Sequence, residues 1–269
     1  MSATFDYDTG PLNWVRADID AALAAALGRV QAYSVDADLT TALRLARDDA
    51  HQATGALRMV GLEGAATLAG TLEACLDDVS ENRLQAGDAM LRALRNALEG
   101  LQRWVKDLAD GRGSGELALF PLYKRLRELQ GAEQVFEGEL FFPDLRAQMS
   151  GKPVGAGLTQ EALAAEVKTI RAQFQRGLLA FLRNNDAEQG LRHMRDALAG
   201  IERIVPSEAA QTFWWASVGF LDSLIAHGVE ADFHVKKLLA RVDLQMRRLM
   251  EGSPEVGETL MREALFFVA

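Results

Sequence analysis

The sequence predicts an all-α protein built of two four-helix bundles joined by an irregular segment. Strong helix formers, chiefly alanine, leucine, arginine and glutamate, dominate the 269 residues, and only 6 prolines interrupt them. Apolar side chains recur every three or four residues over long segments, which is the spacing of one face of an α-helix. A chain of this length can form one or two domains, each with a core of its own.

The first 110 residues contain four such segments. Pro11 suits the first turn of a helix, and Asp36 or Asp38 can cap the next one. Gly61 favours a helix end. The four helices are expected at about residues 11–33, 36–61, 63–79 and 87–108. Short connections and one apolar stripe on each helix predict an antiparallel four-helix bundle over residues 1–110.

Residues 111–157 are expected to be a linker. The stretch "DGRGSGE" at residues 110–116 is rich in glycine and favours a flexible link. A short helix near residues 121–130 and the aromatic, extended segment "VFEGELFFPDLRAQMSGKPVGAG" come next. A connection of this length is typical of a domain boundary.

Helical periodicity resumes at residue 158 and predicts a second bundle over residues 158–269. Its helices are expected at about residues 159–183, 187–204, 208–226 and 232–250. A further helix begins in "GETLMREALFFVA", and the chain ends at Ala269 on an apolar run without a cap. We therefore expect this bundle to be truncated at its C-terminus.

A shift of 145 residues aligns the two halves without a gap. It pairs Gly55 with Gly200 and Arg58 with Arg203, and it sets His51 opposite Asp196. This self-similarity suggests that the second bundle is a degenerate copy of the first. The second copy would then lack whatever His51 does.

The composition excludes several functions. A net charge of −9 argues against nucleic acid or an anionic membrane as partner, and the apolar runs are far shorter than the ~20 residues that span a bilayer. Cys75 is the single cysteine, and His193, His227 and His234 show no metal-ligand spacing. We expect a cytoplasmic protein without a metal or a cofactor.

His51 stands in a segment that suits group transfer. Arg47, His51, Thr54, Gly55 and Arg58 recur at helical spacing and are expected on one face, beside the apolar stripe. Gly55 costs the helix up to ~1 kcal/mol relative to alanine, which favours close approach of another molecule there. An exposed neutral imidazole can attack phosphorus, and cations offset the charge of the product. The pattern indicates His51 as a phosphoacceptor, although an ordinary surface histidine fits the spacing as well.

The segment "HQATGALRMVGLEG" resembles the histidine phosphotransfer (HPt) motif. In that motif histidine is followed by lysine at +3, glycine at +4, a small residue at +5, and glycine and an apolar residue at +10 and +11. The matching positions here are His51, Gly55, Ala56, Gly61 and Leu62. Thr54 stands in place of the lysine, which normally supports the phosphoryl group. The resemblance implies that Arg47 or Arg58 takes over this role.

Further segments extend the resemblance over essentially the whole chain. "LNWVRADID", "LFFPDL", "FWWASVGFLDSL" and "LMREALFFVA" are similar to the N-terminal region of the ChpA/PilL family. These proteins are CheA-like hybrid sensor histidine kinases of type IV pilus systems, and the scaffold protein FimL is related to the same region. The chain shows no nucleotide-binding glycine loop, so the ATP-binding core of such a kinase is absent from it.

The resemblance implies a module of the two-component phosphorelay that controls type IV pili and twitching motility. Its partners would be response-regulator receiver domains, the kinase core of the parent chain and a pilus-polarity scaffold protein, with recruitment to the cell pole. The alternative is a phospho-silent docking scaffold that binds receiver or pilus-polarity proteins. The replacement of lysine by Thr54 favours this alternative.

Overall fold

The computed structural model describes residues 10–36, 40–145 and 157–269. Within these ranges the chain forms ten α-helices and two short 3₁₀ helices and contains no strand. The predicted all-α class is thus confirmed. The chain divides into two compact units, Met1–Phe142 and Pro143–Ala269, each with its own apolar core.

Four long helices and a C-terminal extension make up the first unit. They are α1 (Gly10–Val35), α2 (Thr40–Met59), α3 (Glu63–Ser80), α4 (Asp88–Ala109), the 3₁₀ helix Glu116–Leu119, α5 (Phe120–Leu129) and the 3₁₀ helix Glu137–Leu140. Helix α2 packs against both α1 and α3, and α1 also packs against α4. The bounds lie within a few residues of those expected from the periodicity. Asp38, a predicted cap of α2, lies outside the described residues.

Gly61 ends α2 in the conformation that its position predicts. Its φ of +78° is left-handed, and its N–H donates to the carbonyl of Arg58 at 3.0 Å. The N–H of Leu62 donates to the carbonyl of Leu57 at 3.0 Å. This pair of bonds is a Schellman motif, which satisfies the last carbonyls of a helix and turns the chain sharply. Helix α3 begins at once and runs back along α2.

The segment after α4 is not a linker over its whole length. Leu119, Tyr123, Leu126 and Leu140 are buried in the same core as the four long helices. The first unit therefore ends at Phe142 instead of near residue 110, because the apolar residues of this segment cover α3 and α4. Residues 146–156 of the predicted linker lie outside the described residues.

Glu116 ties this segment to the N-terminus of α3. Its Oε1 accepts the backbone N–H of Ala65 at 2.9 Å, while Leu62, the residue that precedes α3, supplies no side-chain cap. A Cβ at Gly64 would lie 2.7 Å from the carbonyl oxygen of Leu140, so only glycine fits there. The first turn of α3 is thus capped by a residue 51 positions away in the sequence.

The second unit repeats the arrangement of the first. It comprises α6 (Gln160–Leu182), α7 (Ala187–Ile204), α8 (Glu208–Ile225), α9 (Phe233–Met250) and α10 (Glu258–Phe266). Adding 145 to each bound of α3 gives the bounds of α8. The register inferred from the sequence is therefore also that of these helices. Across the described parts of the chain, no helix combines the length and apolar character needed to cross a membrane.

Candidate phosphoacceptor site

His51 lies on the outer side of α2 and is 74% exposed. Its Nδ1 is 3.0 Å from Oε1 of Glu73, which lies on α3. An ionised carboxylate only accepts hydrogen bonds, so this contact places the proton of a neutral imidazole on Nδ1. Nε2 then carries the lone pair. The tautomer and the orientation of this imidazole are thus set by a carboxylate on the neighbouring helix.

Small residues bring the two helices of this site together. The side of α2 that faces the core carries Ala46, Ala50 and Ala53, and all three are fully buried. Ala65, Ala66 and Ala69 on α3 are buried as well. The distance between packed helices depends on the side chains at their contact, and alanine permits a close approach. A glutamate side chain can therefore reach from α3 to the imidazole on α2.

Gly55 leaves the surface beside the imidazole open. It lies four residues after His51, and a Cβ built at this position finds no atom within 4 Å. Met59, a further four residues along the same face, is 81% exposed. This face of α2 therefore presents an imidazole, a bare backbone and an apolar side chain in a row.

The two candidate arginines differ in their surroundings. Arg47 donates to Asp48 at 2.7 Å and to Asp77 at 3.0 Å, and Asp77 is also bonded to Arg83. The bonds from Arg47 and Arg83 lower the pKa of Asp77, and the carboxylates raise the pKa of Arg47. Arg47 thus braces α2 against α3.

Arg58 lines the same groove without such partners. Within residues 10–36, 40–145 and 157–269 its guanidinium makes no ion pair or hydrogen bond. Its Nη2 lies 4.0 Å from the position that a Cβ would take at Gly70 on α3. The groove is lined by Arg47, Asp48, His51, Arg58, Gly70, Glu73, Ala74 and Asp77. Since its aspartates already bind Arg47, Arg58 is the cation better placed to meet an added anion.

The placement of Thr54 on the exposed face is wrong. Its side chain is 3% exposed, and its Oγ1 donates to the carbonyl of Ala50 at 2.8 Å. The residue is three positions after His51, about 300° around the helix, so it lies nearer the core. Helix α3 packs closely beside it, since a Cβ added at Gly70 of α3 would lie 3.8 Å from its methyl group. Thr54 therefore cannot contact a group on the imidazole.

Two family models match this chain, one in each compact unit. Residues 13–104 match the Hpt domain. Residues 159–269 match the second domain of the FimL scaffold protein. The scaffold protein FimL of Pseudomonas aeruginosa is 26% identical to this chain over 262 residues, which are 96% of the chain and 46% of that protein. The chain thus spans about half the length of this relative.

The Hpt match bears on the fold and on the general class of function, which is phosphotransfer signalling. It includes α2 and α3 and therefore His51, Gly55 and Glu73. No solved structure matches the chain significantly. Origin in a ChpA/PilL kinase stays a prediction, and so does a role in twitching motility.

The second unit, which includes the match to the FimL second domain, does not repeat the open surface of the first unit. A Cβ at Gly200, the counterpart of Gly55, would lie 3.2 Å from Cδ1 of Ile170 on α6. Asp196, at the position of the histidine, is exposed and lies 3.6 Å from Arg195. His193 contacts Gln189 at 3.0 Å. A carboxylate stands where a nucleophilic imidazole would be needed.

The remaining reactive groups of the described residues do not form a second centre. Burial raises the pKa of the Cys75 thiol to about 12, so it is not a nucleophile at neutral pH. In the parts of the chain that the structure describes, no three histidine, cysteine or acidic side chains converge as metal ligands do.

Two site residues escaped the sequence analysis. Glu73 is 22 residues from His51, and no local spacing links a residue on α3 to one on α2. Met59 lies close to the apolar stripe in sequence, but the stripe ends at Leu57 and Met59 points outward. The motif "HQATGALRMVGLEG" contains the turn that sets α3 antiparallel to α2. This turn is the signal that could have identified Glu73, because a residue about as far after the turn as His51 is before it lies beside His51.

Proposed function

We propose that this chain is a histidine phosphotransfer module in which Nε2 of His51 accepts a phosphoryl group. The observation that carries the proposal is the contact between Nδ1 of His51 and Glu73 beside the open surface at Gly55. Exposure lets phosphorus approach in line, and the carboxylate orients the ring.

The transfer is a displacement at phosphorus. The lone pair of Nε2 forms the N–P bond while the bond between phosphorus and the donor oxygen breaks, and the donor carboxylate leaves with that electron pair. The ring becomes positively charged during attack, and Glu73 stabilises that charge through the proton on Nδ1. Arg58 is placed to offset the charge of the bound phosphoryl group.

The partner that fits this surface is a response-regulator receiver domain. The module supplies the nucleophile, and the partner brings the acyl phosphate and the metal ion that holds it. Met59 and the bare backbone at Gly55 offer an apolar contact on the same face of α2 as the reacting nitrogen. In the finer form of the proposal, the relay is that of type IV pili, with the kinase core of a parent chain as a second partner and a pilus-polarity protein as a third.

The test is phosphoryl transfer from receiver domains of the source organism, each phosphorylated on its aspartate. We expect a phosphate on the full chain that is labile to acid and stable to base, and we expect its loss in His51→Gln. His193→Gln is the matched control, because this exposed histidine lies outside the groove. Equal labelling of wild type and His51→Gln with every receiver contradicts the proposal.

The similarity to the scaffold protein FimL favours a second candidate, a docking scaffold that carries no phosphate. The buried threonine in place of the usual lysine supports it. In that case His51→Gln leaves the binding of receiver and pilus-polarity proteins unchanged. Binding constants of both variants, measured by calorimetry beside the labelling experiment, separate the two candidates.

A further inference from the structure

Helix α1 is apolar on two opposite sides. One side carries Leu12, Ile19, Leu23 and Val30, which are buried in the core of the first unit. Such a helix, when it lies at the surface, normally turns a polar face to water. The opposite side of α1 departs from this rule.

The outer side of α1 carries residues that alternate by four and three positions. They are Trp14, Asp18, Ala21, Ala25, Gly28, Ala32 and Val35. Trp14 is 86% exposed and Val35 is 90% exposed, and these two large apolar side chains bound a run of small residues. Asp18 is the only charged residue of the set, and all of α1 belongs to the described part of the chain. An apolar repeat of 3.5 residues is the seam that one helix presents to another.

The apolar surface continues onto α2. Ala24, Ala25 and Gly28 of α1 line a groove together with Ala42 and Leu45 of α2. Leu45 is exposed, and a Cβ at Gly28 would meet no atom within 4 Å. The groove and the seam therefore form one continuous apolar surface. Such a surface is larger than the isolated apolar side chains that are normal on the surface of a soluble protein.

We propose that this surface binds a second copy of the chain, with the two α1 helices antiparallel. The twofold axis of such a dimer places the N-terminal end of the seam of one copy against the C-terminal end of the seam of the other copy. When Ala21 of one copy lies beside Ala25 of the second, Trp14 comes to Ala32, so that a large side chain covers a small one. Asp18 then comes to Gly28 and the neighbouring Arg29.

The charges favour this direction. Arg29 already bonds to Asp49 through Nε, and a guanidinium has five N–H donors, so it can donate to a second carboxylate. A parallel pair would instead set Asp18 against Asp18 and Trp14 against Trp14 across the seam. Like charges at an apolar contact oppose association. The large and small side chains and the charges of two seams are therefore complementary when the two helices run in opposite directions, and not when they run parallel.

Sedimentation equilibrium of the full chain tests the association. We expect a concentration-dependent dimer, and we expect Ala21→Arg to raise its dissociation constant at least about tenfold, because an arginine in the seam buries a charge. Ala172→Arg, on an exposed position of α6, is the matched control and should dimerise as wild type does. At protein concentrations well below the dissociation constant of the wild type, where all chains are monomeric, both variants should keep the thermal unfolding midpoint of the wild type, since neither residue is in a core.

Cysteine cross-linking tests the direction. A mixture of Ala21→Cys and Ala25→Cys chains should form disulfides faster than either variant alone, and the buried Cys75 gives little background. Faster cross-linking of Ala21→Cys with itself contradicts the antiparallel arrangement. A chain that stays monomeric at high concentration, or a dimer indifferent to Ala21→Arg, overturns the proposal. None of these outcomes depends on whether His51 carries phosphate.

Discussion

Glu73 and His51 lie on separate helices, and the 3.0 Å contact between the carboxylate and Nδ1 defines which ring nitrogen is free. Histidine on a bare helix surface rotates and exchanges tautomers. Here the neighbouring helix removes that freedom. The contact fixes the orientation of a surface histidine. Three predictions concern the neighbours of this imidazole, and a fourth concerns the cap of α3.

Replacing Glu73 by glutamine should slow transfer to His51 about tenfold. The amide oxygen can still accept the Nδ1 proton, but the charge that stabilises the positive ring is lost, and a hydrogen bond to a charged group is worth about 1.5 kcal/mol or more. Nitrogen NMR of the labelled imidazole should show a larger share of the other tautomer. An unchanged transfer rate together with an unchanged tautomer would remove Glu73 from the site.

Replacement of Arg58 and replacement of Arg47 should affect different properties, namely phosphotransfer and thermal stability. Arg58→Gln is expected to lower phosphotransfer or to shorten the lifetime of the phosphohistidine, with little effect on stability, because its guanidinium has no partner to lose within the described residues. Arg47→Gln is expected to lower the thermal unfolding midpoint, because Asp77 and Asp48 lose their partner. Single-turnover transfer and thermal unfolding, measured on both variants, decide this. The reverse assignment would make Arg47 the cation that meets the phosphoryl group.

Gly55→Ala should stabilise the chain by up to about 1 kcal/mol, since the added Cβ meets nothing and alanine favours helix. Gly55→Arg should leave the fold intact and abolish transfer, because its side chain occupies the surface that a partner must approach. Gly200→Ala is the matched control. Its Cβ would press on Ile170 at 3.2 Å, so it should give a smaller gain or a loss. Denaturant unfolding and receiver binding are the measurements.

The cap on α3 should respond to pH. Burial, opposed by backbone hydrogen bonds from Ala65 and Gly64, raises the pKa of Glu116 from 4.5 to about 7. The folded chain therefore binds more protons than the unfolded chain between about pH 4.5 and 7, and the free energy of unfolding falls as the pH rises through this range. A shift of this size corresponds to at most about 3.5 kcal/mol.

Glu116→Gln isolates this contribution. The amide stays neutral at every pH and keeps an oxygen that accepts the N–H of Ala65. Because only the wild type loses stability as the pH rises, the free energy of unfolding of the variant minus that of the wild type should increase from about pH 5 to about pH 8. Urea unfolding at both values measures the difference. If the difference between variant and wild type does not change with pH, Glu116 does not titrate in this range.

Much of the fold could be predicted because its signals are local. Helix periodicity predicts α7 at residues 187–204, and Gly61 predicts the end of α2, since apolar spacing and a left-handed glycine act within a few residues. The extension after α4 could not be predicted in this way, because the burial of Tyr123 and Leu140 depends on helices far away in the sequence. The glycine-rich composition at residues 110–116 indicates a turn there and carries no information on the packing of the residues after it.

The features of the candidate site likewise fall into those that depend on local sequence and those that depend on the packing of two helices. The exposure of His51 and the space at Gly55 depend on positions along one helix, so the sequence sufficed for them. Thr54 was misplaced because its burial depends on how closely α3 approaches, which the alanines of both helices determine together. Glu73 and the engagement of Arg47 by Asp77 involve two helices, and only the folded chain shows them.

The contrast between Gly55 and Gly200 bears on how signalling modules lose their activity. Ile170, which covers Gly200, stands 145 residues after Ala25 of α1, the helix that corresponds to α6. One branched side chain on a neighbouring helix thus fills, at Gly200, the space that is open at Gly55. A duplicated module can become inert to phosphoryl transfer through such a replacement and the loss of one histidine, while its helices, turns and core persist. Divergence of this kind needs no change of architecture, so a shared fold is a poor guide to which copy still transmits a signal.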